Sequence, residues 1–283
     1  MTRPSIIPPR LLLLGLAVLA AGCGASATPG ATTSTRSRAR TAAVEPAALK
    51  AGEKLRYLLG ALPHETAKLP APSNATNVER EYLSSVADDL QRVWRREFRS
   101  SNLTYRPARV VLFWSKVKSD CGEADDSGPF YCPADMTVYL DLKFFTDLLQ
   151  AAGVGSAAQA YLVGHEFGHH VQQLVGIAGS VADANETDPS GKNARSVKVE
   201  LQADCLAGVW GRSAYPRSVL TVSDLYQALR AADVIGDDYL QQAAGNVVDS
   251  AQWTHGSSKQ RQYWVRRGYE SGQPSSCDTF GGG

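Results

Sequence analysis

The sequence predicts an α+β fold that is mostly helical and contains one small sheet. Two observations predict it: long stretches whose apolar side chains recur at helical spacing, and two short strand-like apolar runs at 108–114 and 137–142. Hydrophobic residues make up 43% of the 283 residues and charged residues 20%. This balance can fill a core, so it excludes a chain that is disordered throughout.

The charge balance excludes one class of partner. Lys and Arg together number 29, Asp and Glu number 28, and the formal net charge is +1. A domain that binds nucleic acid usually carries a large basic excess, and this chain has none. We therefore expect no nucleic-acid partner. Three of the five histidines lie close together at 165–170, which directs attention to that segment.

Residues 1–22 have the features of a secretory signal. Arg3 and Arg10 precede an uninterrupted apolar run at 11–21, which is too short to span a bilayer of about 30 Å but suits a signal-peptide core. Residues 19–23, at the end of this run and just after it, read Leu-Ala-Ala-Gly-Cys and resemble a bacterial lipobox. In such signals cleavage falls before the Cys, and the thiol of this Cys is lipidated. We predict that Cys23 carries the lipid; ordinary cleavage nearby, with this Cys free or discarded, is the alternative.

Residues 23–45 are predicted to be a flexible tether between the lipid and a folded domain at 46–283. They are mostly Ala, Thr, Ser, Gly and Arg, and they have too few large apolar side chains to fold. Removal of 1–22 takes away basic but no acidic side chains, so no basic excess remains to bind a membrane surface. Acyl chains would have to hold the protein there. We therefore predict an extracytoplasmic, membrane-anchored lipoprotein.

The other four cysteines fit an oxidising compartment. They are Cys121, Cys132, Cys205 and Cys277, an even number that suits disulfides. The first two close a short loop that contains Gly and Pro and can turn back easily, so we predict the pairs 121–132 and 205–277. A zinc site built from all four cysteines is the alternative, but the CxxC spacing that such sites normally use is absent.

The first half of the folded part is predicted from periodicity. Residues 46–60 form a possible short helix, which a proline-rich stretch follows. Residues 78–99 form a strongly amphipathic helix with Arg and Asp between its apolar positions. The strands at 108–114 and 137–142 come next, and a helix over about 143–151 follows the second strand.

The second half is predicted to be helical, with one loop. Ser156 and Gln159 suit a capping box for a helix over 157–175, which Gly176 ends. The Gly-, Asp- and Asn-rich residues 178–193 predict a surface loop. Further helices are expected over about 194–212, from Ser223-Asp224 to about Gly236, and over 257–269.

The helix over 157–175 contains the motif His165-Glu166-Phe167-Gly168-His169. The two histidines lie on one helical face about one turn apart, so both imidazoles can bind one Zn²⁺ at roughly 2.0–2.1 Å. Glu166 lies about 100° round the helix, where it cannot easily be a ligand beside them but can reach a water on the metal. Two neutral nitrogen donors and one free carboxylate suit a peptide hydrolase. A helix with solvent-facing polar residues is the alternative, which the apolar flanks of the motif disfavour.

A third ligand is predicted on the next helix. Catalytic zinc usually takes three protein ligands and leaves a fourth position for water. Glu200 and Asp204 form an E-x-x-x-D pattern and face the same way. We predict that Glu200 binds the metal, while Asp204 accepts the outer N–H of a ligand histidine and fixes its tautomer. A solvated acidic face is the alternative, which fits poorly with the apolar side chains nearby.

Several motifs resemble those of a bacterial family of neutral zinc metallopeptidases. The matching segments are 129–135, 164–172, 200–208, 254–258 and 277–280. The likeness covers about 120–283, which is the motif-bearing core of the predicted domain. The family resembles the gluzincin group of zinc peptidases, in which a Glu on a later helix is the third ligand. The resemblance implies a zincin-like fold and a hydrolase activity, and it implies no particular substrate.

Two further histidines and one strand have predicted roles. The resembling peptidases often place a His where His255 stands, and a donor near the scissile carbonyl would stabilise the oxyanion. The alternative is a helix-entry residue, with Ser257 or Ser258 as the cap. His170 points about 100° away from the second ligand histidine and is predicted to pack against a neighbouring segment or to support the site. Residues 137–142 form either a sheet edge that holds an extended substrate or an internal strand.

Together these predictions describe an extracytoplasmic zinc peptidase that acts on a peptide or protein substrate. Zn²⁺ would be bound by His165, His169 and Glu200. Glu166 would take a proton from the water and pass one to the leaving amine, and His255 would stabilise the oxyanion. The alternative is a non-enzymatic binding lipoprotein that is stabilised by zinc. A closed structural site would need a fourth protein ligand and would have no use for the free carboxylate.

Overall fold

The computed structural model of the protein describes residues 76–125, 127–152, 154–217 and 219–281. It confirms the predicted class, because the described part of the chain is mostly helical and has a small sheet beside the helix that carries the histidine motif. The predicted signal peptide, Cys23, the tether and the helix over 46–60 lie outside the described residues. In the part of the chain that is described, no helix is both long enough and apolar enough to cross a membrane.

The described residues form eight α-helices and three short 3₁₀ turns. The helices are α1 (Thr76–Ser100), α2 (Leu142–Ala152), α3 (Ser156–Val175), α4 (Ile177–Thr187), α5 (Lys192–Ala214), α6 (Val222–Val234), α7 (Asp237–Ala243) and α8 (Ser258–Ser271). The 3₁₀ turns are Pro189–Gly191, Ser250–Gln252 and Pro274–Cys277. Helices α1, α2, α3, α5, α6 and α8 lie close to their predicted positions.

Five strands form two sheets in the described part of the chain. They are β1 (Arg109–Phe113), β2 (Lys116–Ser119), β3 (Gly122–Asp125), β4 (Phe130–Cys132) and β5 (Thr137–Asp141). β5 lies between a parallel β1, with Arg109 opposite Thr137, and an antiparallel β4, with Phe130 opposite Tyr139. β2 and β3 form a separate hairpin. Residues 137–142 are therefore not a sheet edge: β5 is an internal strand, and all its side chains are buried.

Helix α1 packs its apolar face against the core. Leu83, Val86, Leu90 and Val93 recur at three- and four-residue steps and are all buried. One buried carboxylate on the same helix, Asp89, accepts hydrogen bonds from Trp210 Nε1 at 2.9 Å and from Arg217 Nη2 at 2.8 Å. This buried ion pair joins α1 to the end of α5, and its charges are compensated because both partners are hydrogen-bonded.

Small residues let α5 lie unusually close to its neighbours. A Cβ atom at Gly268 in α8 would lie 1.9 Å from the carbonyl oxygen of Cys205, and one at Gly208 would lie 2.2 Å from that of Val265. On the other side of α5, a Cβ atom at Gly168 in α3 would lie 2.8 Å from the Cα atom of Ala203. Because no side chain separates the backbones, α3, α5 and α8 form a rigid stack.

Two predictions around α3 are wrong. The N-cap is Gly155, which makes no side-chain cap, and Ser156 is already helical. Gln159 does not complete a capping box, because it is buried and donates from Nε2 to Glu79 Oε1 at 2.7 Å. The predicted end of the helix is confirmed, since Gly176 adopts the left-handed conformation at φ 85°.

Residues 178–193 are not a loop. They form most of α4, a 3₁₀ turn and the start of α5. Ile177 is buried in the core and Val181, four positions later, packs against it. This apolar contact outweighs the turn preference of the Gly, Asn and Asp residues, because tertiary packing readily overrides local propensity.

Helices α6 and α8 begin at side-chain caps. Thr221 and Asp224 form the capping box of α6, and Ser257 and Gln260 form that of α8, so Ser257 is the cap. Both predicted disulfides are present. They are Cys121–Cys132, with Cα atoms 5.8 Å apart, and Cys205–Cys277, with Cα atoms 5.5 Å apart. The second one ties the C-terminal tail to α5.

Candidate metal centre

Helices α3 and α5 bring the three predicted ligands together. One donor atom from each of His165, His169 and Glu200 lies within 4.8 Å of the others. The two imidazole Nε2 atoms are 3.1 Å apart, and the carboxylate oxygens of Glu200 lie 3.0 Å from Nε2 of His165 and 3.5 Å from Nε2 of His169. Spacing of i and i+4 on α3 places both rings towards α5, as the sequence predicts. Three nitrogen and oxygen donors therefore converge on one point, a set that suits Zn²⁺.

Asp204 lies directly behind His165. Its Oδ1 atom is 2.7 Å from Nδ1 of His165, and both side chains are buried. A carboxylate only accepts in this pair, so Nδ1 carries a proton, and Nε2, on the side of Glu200, is the ring nitrogen left to bind a metal. This is the arrangement that the sequence predicts for Asp204.

Two buried side chains that the sequence analysis did not select hold Asp204. Arg261 on α8 donates from Nε to Oδ2 at 2.9 Å and from Nη2 to Oδ1 at 3.0 Å, and Tyr161 Oη donates to Oδ1 at 2.6 Å. Burial alone would raise the pKa of Asp204, but Arg261 and His165 hold it below its usual value. Tyr161 could have been found, since it lies one turn before His165 on α3. Nothing in the sequence marks Arg261.

Gln172 lies behind the other ligand histidine. Its Oε1 atom is 2.9 Å from Nδ1 of His169, and its Nε2 atom donates to the carbonyl of Val199 at 2.7 Å and to Gln202 Oε1 at 3.0 Å. Position i+3 on the same helix is a signal that could have selected Gln172. The two histidines are thus supported differently, one by a carboxylate and one by a neutral amide.

Glu166 is a buried carboxylate with one unsatisfied oxygen. Only 2% of the residue is exposed, and Oε1 has no hydrogen-bond partner among the described residues. Burial raises the pKa of Glu166, while His165 and His169 act in the opposite direction. A buried carboxylate oxygen without a partner is costly, so its electrostatic interaction with His165, His169 and Glu200 indicates a chemical role.

His255 reaches the same site from the loop before α8. Asp237 Oδ2 accepts the backbone N–H groups of Thr254, His255 and Gly256 at 2.7–2.9 Å, and its Oδ1 lies 3.2 Å from Nδ1 of His255. The other ring nitrogen, Nε2, is buried without a partner within the described ranges. Asp237, which the sequence does not mark, thus fixes the ring.

The neighbouring histidines lower the pKa of the Glu200 carboxyl group. Burial alone would raise the pKa of Glu200, but His169, His165 and His255 together lower it well below its usual value. Glu200 is therefore an anion held among three imidazoles. This combination of a buried carboxylate and convergent nitrogen donors is suited to a divalent cation.

His170 faces away from the donors, towards the sheet. Its Nε2 atom is 2.7 Å from the carbonyl oxygen of Arg106, and its Nδ1 atom is 3.1 Å from Tyr131 Oη. The carbonyl can only accept, so Nε2 carries the proton and Tyr131 donates to Nδ1. Burial lowers the pKa of His170 to about 4. The predicted contact with a neighbouring segment is confirmed, and it joins α3 to β4.

The fold and the convergent donors define the class: a helical HExxH protein in which a glutamate on a later helix meets the two histidines. The family model described as "Putative neutral zinc metallopeptidase" matches residues 23–280, and the chain belongs to this family. The match extends further towards the N-terminus than the resemblance visible in the motifs, which begins at about 120.

The chain is similar to several bacterial proteins whose names describe them as uncharacterized. The chain is 42% identical over 204 residues to "Uncharacterized protein YpfJ" of Escherichia coli K12, which covers 71% of each protein. It is 40% identical over 191 residues to "Uncharacterized protein Rv2575" of Mycobacterium tuberculosis H37Rv and to "Uncharacterized protein Mb2605" of Mycobacterium bovis, covering 62% of this chain and 63% of each relative. No solved structure matches the chain with a significant score.

Proposed function

We propose that the protein is a zinc peptidase that hydrolyses peptide bonds in peptide or protein substrates. The observation that carries this proposal is the buried carboxylate of Glu166, which interacts electrostatically with all three convergent donors and keeps one oxygen without a partner among the described residues. A side chain in that position is suited to proton transfer during hydrolysis.

The donor set supports zinc as the bound metal. Two imidazoles and one carboxylate are typical of catalytic zinc sites, which keep a further position for water. Bound there, zinc would polarise the substrate carbonyl and lower the pKa of a bound water to about 7. Asp204 and Gln172 each accept the Nδ1 proton of one ligand histidine, so both Nε2 lone pairs are directed to the same point.

Glu166 would be the general base and then the general acid. Its free Oε1 would take a proton from the attacking water and pass it to the leaving amine. Because burial raises its pKa, the protonated carboxyl is less costly there than in water. Transfer of this proton to nitrogen as the C–N bond breaks would release a neutral amine rather than an unstable amide anion.

His255 would stabilise the oxyanion. Asp237 accepts from the Nδ1 side of the ring and leaves Nε2 directed away from itself. An N–H group at Nε2 would donate a hydrogen bond to the negative charge that develops on the carbonyl oxygen.

A zinc ion held only as a structural support is less well supported. Structural sites are closed by four protein ligands. In the described ranges, the metal-ligand cluster contains three such residues. A closed site would also leave the buried carboxylate of Glu166 without a purpose.

The decisive experiment compares the wild-type protein with Glu166→Gln. Gln has nearly the same shape but cannot take a proton, so zinc per chain should be unchanged while peptide-library hydrolysis falls by about 10²–10⁴-fold. Glu79→Gln, another buried glutamate that lies away from the donors, is the matched control and should keep activity. No cleavage by the zinc-loaded wild type would contradict the proposal. Loss of zinc from Glu166→Gln would make Glu166 a ligand instead of the base.

We also propose that Cys23 anchors the protein to a membrane outside the cytoplasm. The support is the lipobox-like sequence before it and the two disulfides, which persist in oxidising compartments. Metabolic labelling with a radioactive fatty acid should mark the wild-type chain but not Cys23→Ser. Equal labelling of both, or of neither, would contradict the anchor.

A further inference from the structure

We propose that Gln172 and Gln202 are positioning residues that connect the metal ligand His169 to the C-terminal tail. This inference rests on the proposed zinc site. Three hydrogen bonds form the connection: His169 Nδ1 to Gln172 Oε1 at 2.9 Å, Gln172 Nε2 to Gln202 Oε1 at 3.0 Å, and Gln202 Nε2 to the carbonyl oxygen of Cys277 at 2.9 Å. We call this chain of contacts the glutamine relay.

The relay has one direction, which the backbone sets. A carbonyl oxygen can only accept, so Gln202 must present its Nε2 group to Cys277, and its Oε1 atom then faces Gln172. Gln172 must in turn present Nε2 to that oxygen. The same nitrogen also donates to the carbonyl of Val199 at 2.7 Å, so two acceptors fix this orientation.

The direction determines where the proton of His169 lies. Because Gln172 directs Nε2 towards Gln202 and Val199, its Oε1 atom faces the imidazole. An amide oxygen only accepts, so Nδ1 of His169 carries the proton and Nε2 keeps the lone pair that a metal needs. The tail carbonyl of Cys277 thus selects the ligating tautomer of a histidine more than a hundred positions earlier in the chain.

The two glutamines of the relay and Cys277 are buried. Gln172 is 1% exposed, Gln202 is 0% exposed and Cys277 is 0% exposed. In such surroundings an unpaired amide is costly, so the loss of one contact of the relay is expected to weaken the neighbouring contact as well. The relay also adds no charge to a site that already contains the anions of Glu200 and Asp204.

The tail carbonyl is itself held in place. Cys277 is joined by its disulfide to Cys205, which follows Gln202 by three positions on α5. On either side of it, Thr279 Oγ1 donates to the carbonyl of Lys198 at 2.7 Å and Arg267 Nε donates to that of Ser276 at 2.7 Å. The tail is therefore a fixed support for the relay and, through it, for the metal site.

Zinc release tests the relay without requiring activity. The full-length protein would be loaded with zinc and mixed with a chromogenic chelator, and the release rate and equilibrium affinity would be measured. Gln172→Met keeps the size but removes every polar contact, and it should weaken zinc binding by about 10–100-fold. Gln202→Met should also weaken zinc binding, but only by about three- to tenfold, which is the effect of losing one neutral hydrogen bond.

A double-mutant cycle separates the relay from general destabilisation. If Gln202 acts through Gln172, Gln202→Met should have no further effect on zinc release in the Gln172→Met background. The matched control is Gln159→Met, which removes a fully buried amide from the same helix, α3, where its partner is Glu79. Its zinc release should equal that of the wild type. Additive effects of the two relay substitutions would overturn the proposal.

A second variant decides the matter if Gln172→Met does not fold. Gln172→Glu keeps an acceptor for His169 but loses the donor to Gln202 and Val199. The comparison protein is the double variant Gln172→Ala/Gln202→Met, which has no acceptor for His169. The relay predicts that Gln172→Glu binds zinc more tightly than this double variant, because its carboxylate still accepts the Nδ1 proton of His169. Equal release from these two proteins would overturn the proposal.

Failure of the relay differs from failure of the proposed function. Wild-type zinc at one per chain with unchanged release from Gln172→Met would overturn the relay and leave the peptidase proposal intact. Zinc binding that depends on Gln172, in a protein that hydrolyses no peptide, would support the relay and contradict the peptidase. A wild-type protein that holds no zinc would overturn both.

Discussion

Two carboxylates, the buried Asp204 and the partly buried Asp237, contact Nδ1 of two histidines of the site. Asp204 lies 2.7 Å from Nδ1 of His165, and Asp237 lies 3.2 Å from Nδ1 of His255. The remaining ring nitrogens differ, however. Nε2 of His165 faces Glu200, whereas Nε2 of His255 is buried without a partner in the described part of the chain. We therefore expect His165 to bind metal and His255 to meet the substrate.

Removal of the His255 side chain should affect catalysis and spare the metal. His255→Ala deletes the proposed oxyanion donor, so kcat should fall by about 10²–10³-fold while zinc per chain stays unchanged. Zinc content and peptide hydrolysis, measured on the same preparation, check this. A variant that loses zinc would show that His255 is a ligand, and one that keeps full activity would show that it has no role in the reaction.

Glu97 gives a pH dependence of stability that is independent of the metal. The residue is 2% exposed, and its Oε1 atom has no partner among the described residues. Burial raises its pKa from 4.5 to about 7. The folded state therefore binds this proton more tightly than the unfolded state, so the contribution of Glu97 to stability is lost as pH rises from about 4.5 to about 7.

Glu97→Gln should remove this loss. At pH 8 the free energy of unfolding of the variant should exceed that of the wild type by on the order of 1–3 kcal/mol, because one pKa unit corresponds to about 1.4 kcal/mol. At pH 4 this difference should vanish. Urea unfolding at both pH values measures it. Glu81→Gln, on the exposed face of the same helix, serves as the control and should change neither value. An equal gain at both pH values would refute the titration of Glu97.

The stack of α3, α5 and α8 depends on glycines at the contacts. Gly268→Ala would place a methyl group 1.9 Å from the carbonyl oxygen of Cys205, so α8 must shift away from α5. We expect a loss of about 1–3 kcal/mol in the free energy of unfolding. Because Arg261 lies on α8 and holds Asp204, zinc retention should fall as well.

An alanine at an open glycine provides the comparison. Gly179 lies in α4 with nothing within 4 Å of its Cβ position, so Gly179→Ala should stabilise the protein by about 0.5–1 kcal/mol. Both variants would be compared by urea unfolding. Equal stability of Gly268→Ala and the wild type would show that α5 and α8 can separate without cost.

Sequence reasoning succeeded for elements whose signal is local. The amphipathic pattern predicted α1, and the left-handed glycine at 176 predicted the end of α3. It failed where tertiary contacts determine the secondary structure. Residues 178–193 are rich in turn-forming residues, but the packing of Ile177 and Val181 against the core favours a helix there. The hairpin of β2 and β3 was missed because both strands are short and bear charged side chains, and α7 was missed because it has only seven residues.

At the scale of the whole molecule, the candidate site combines side chains from four distant segments. Spacing of i and i+4 predicted both pairs on α3 and α5, because helical geometry alone brings such residues to one face. Arg261, Asp237 and Gln202 could not be predicted, since only the packing of α5, α7, α8 and the tail places them near the histidines. The same packing explains why the tail contributes to the relay.

X-ray absorption at the zinc edge of the full-length protein would identify the metal ligands. We predict one zinc per chain, bound by two imidazole nitrogens at about 2.0–2.1 Å and otherwise by oxygen from Glu200 and water. No sulfur should contribute, because Cys121, Cys132, Cys205 and Cys277 are paired in disulfides. A sulfur shell at about 2.3 Å or a third imidazole would contradict the assignment of His165, His169 and Glu200 as the ligands.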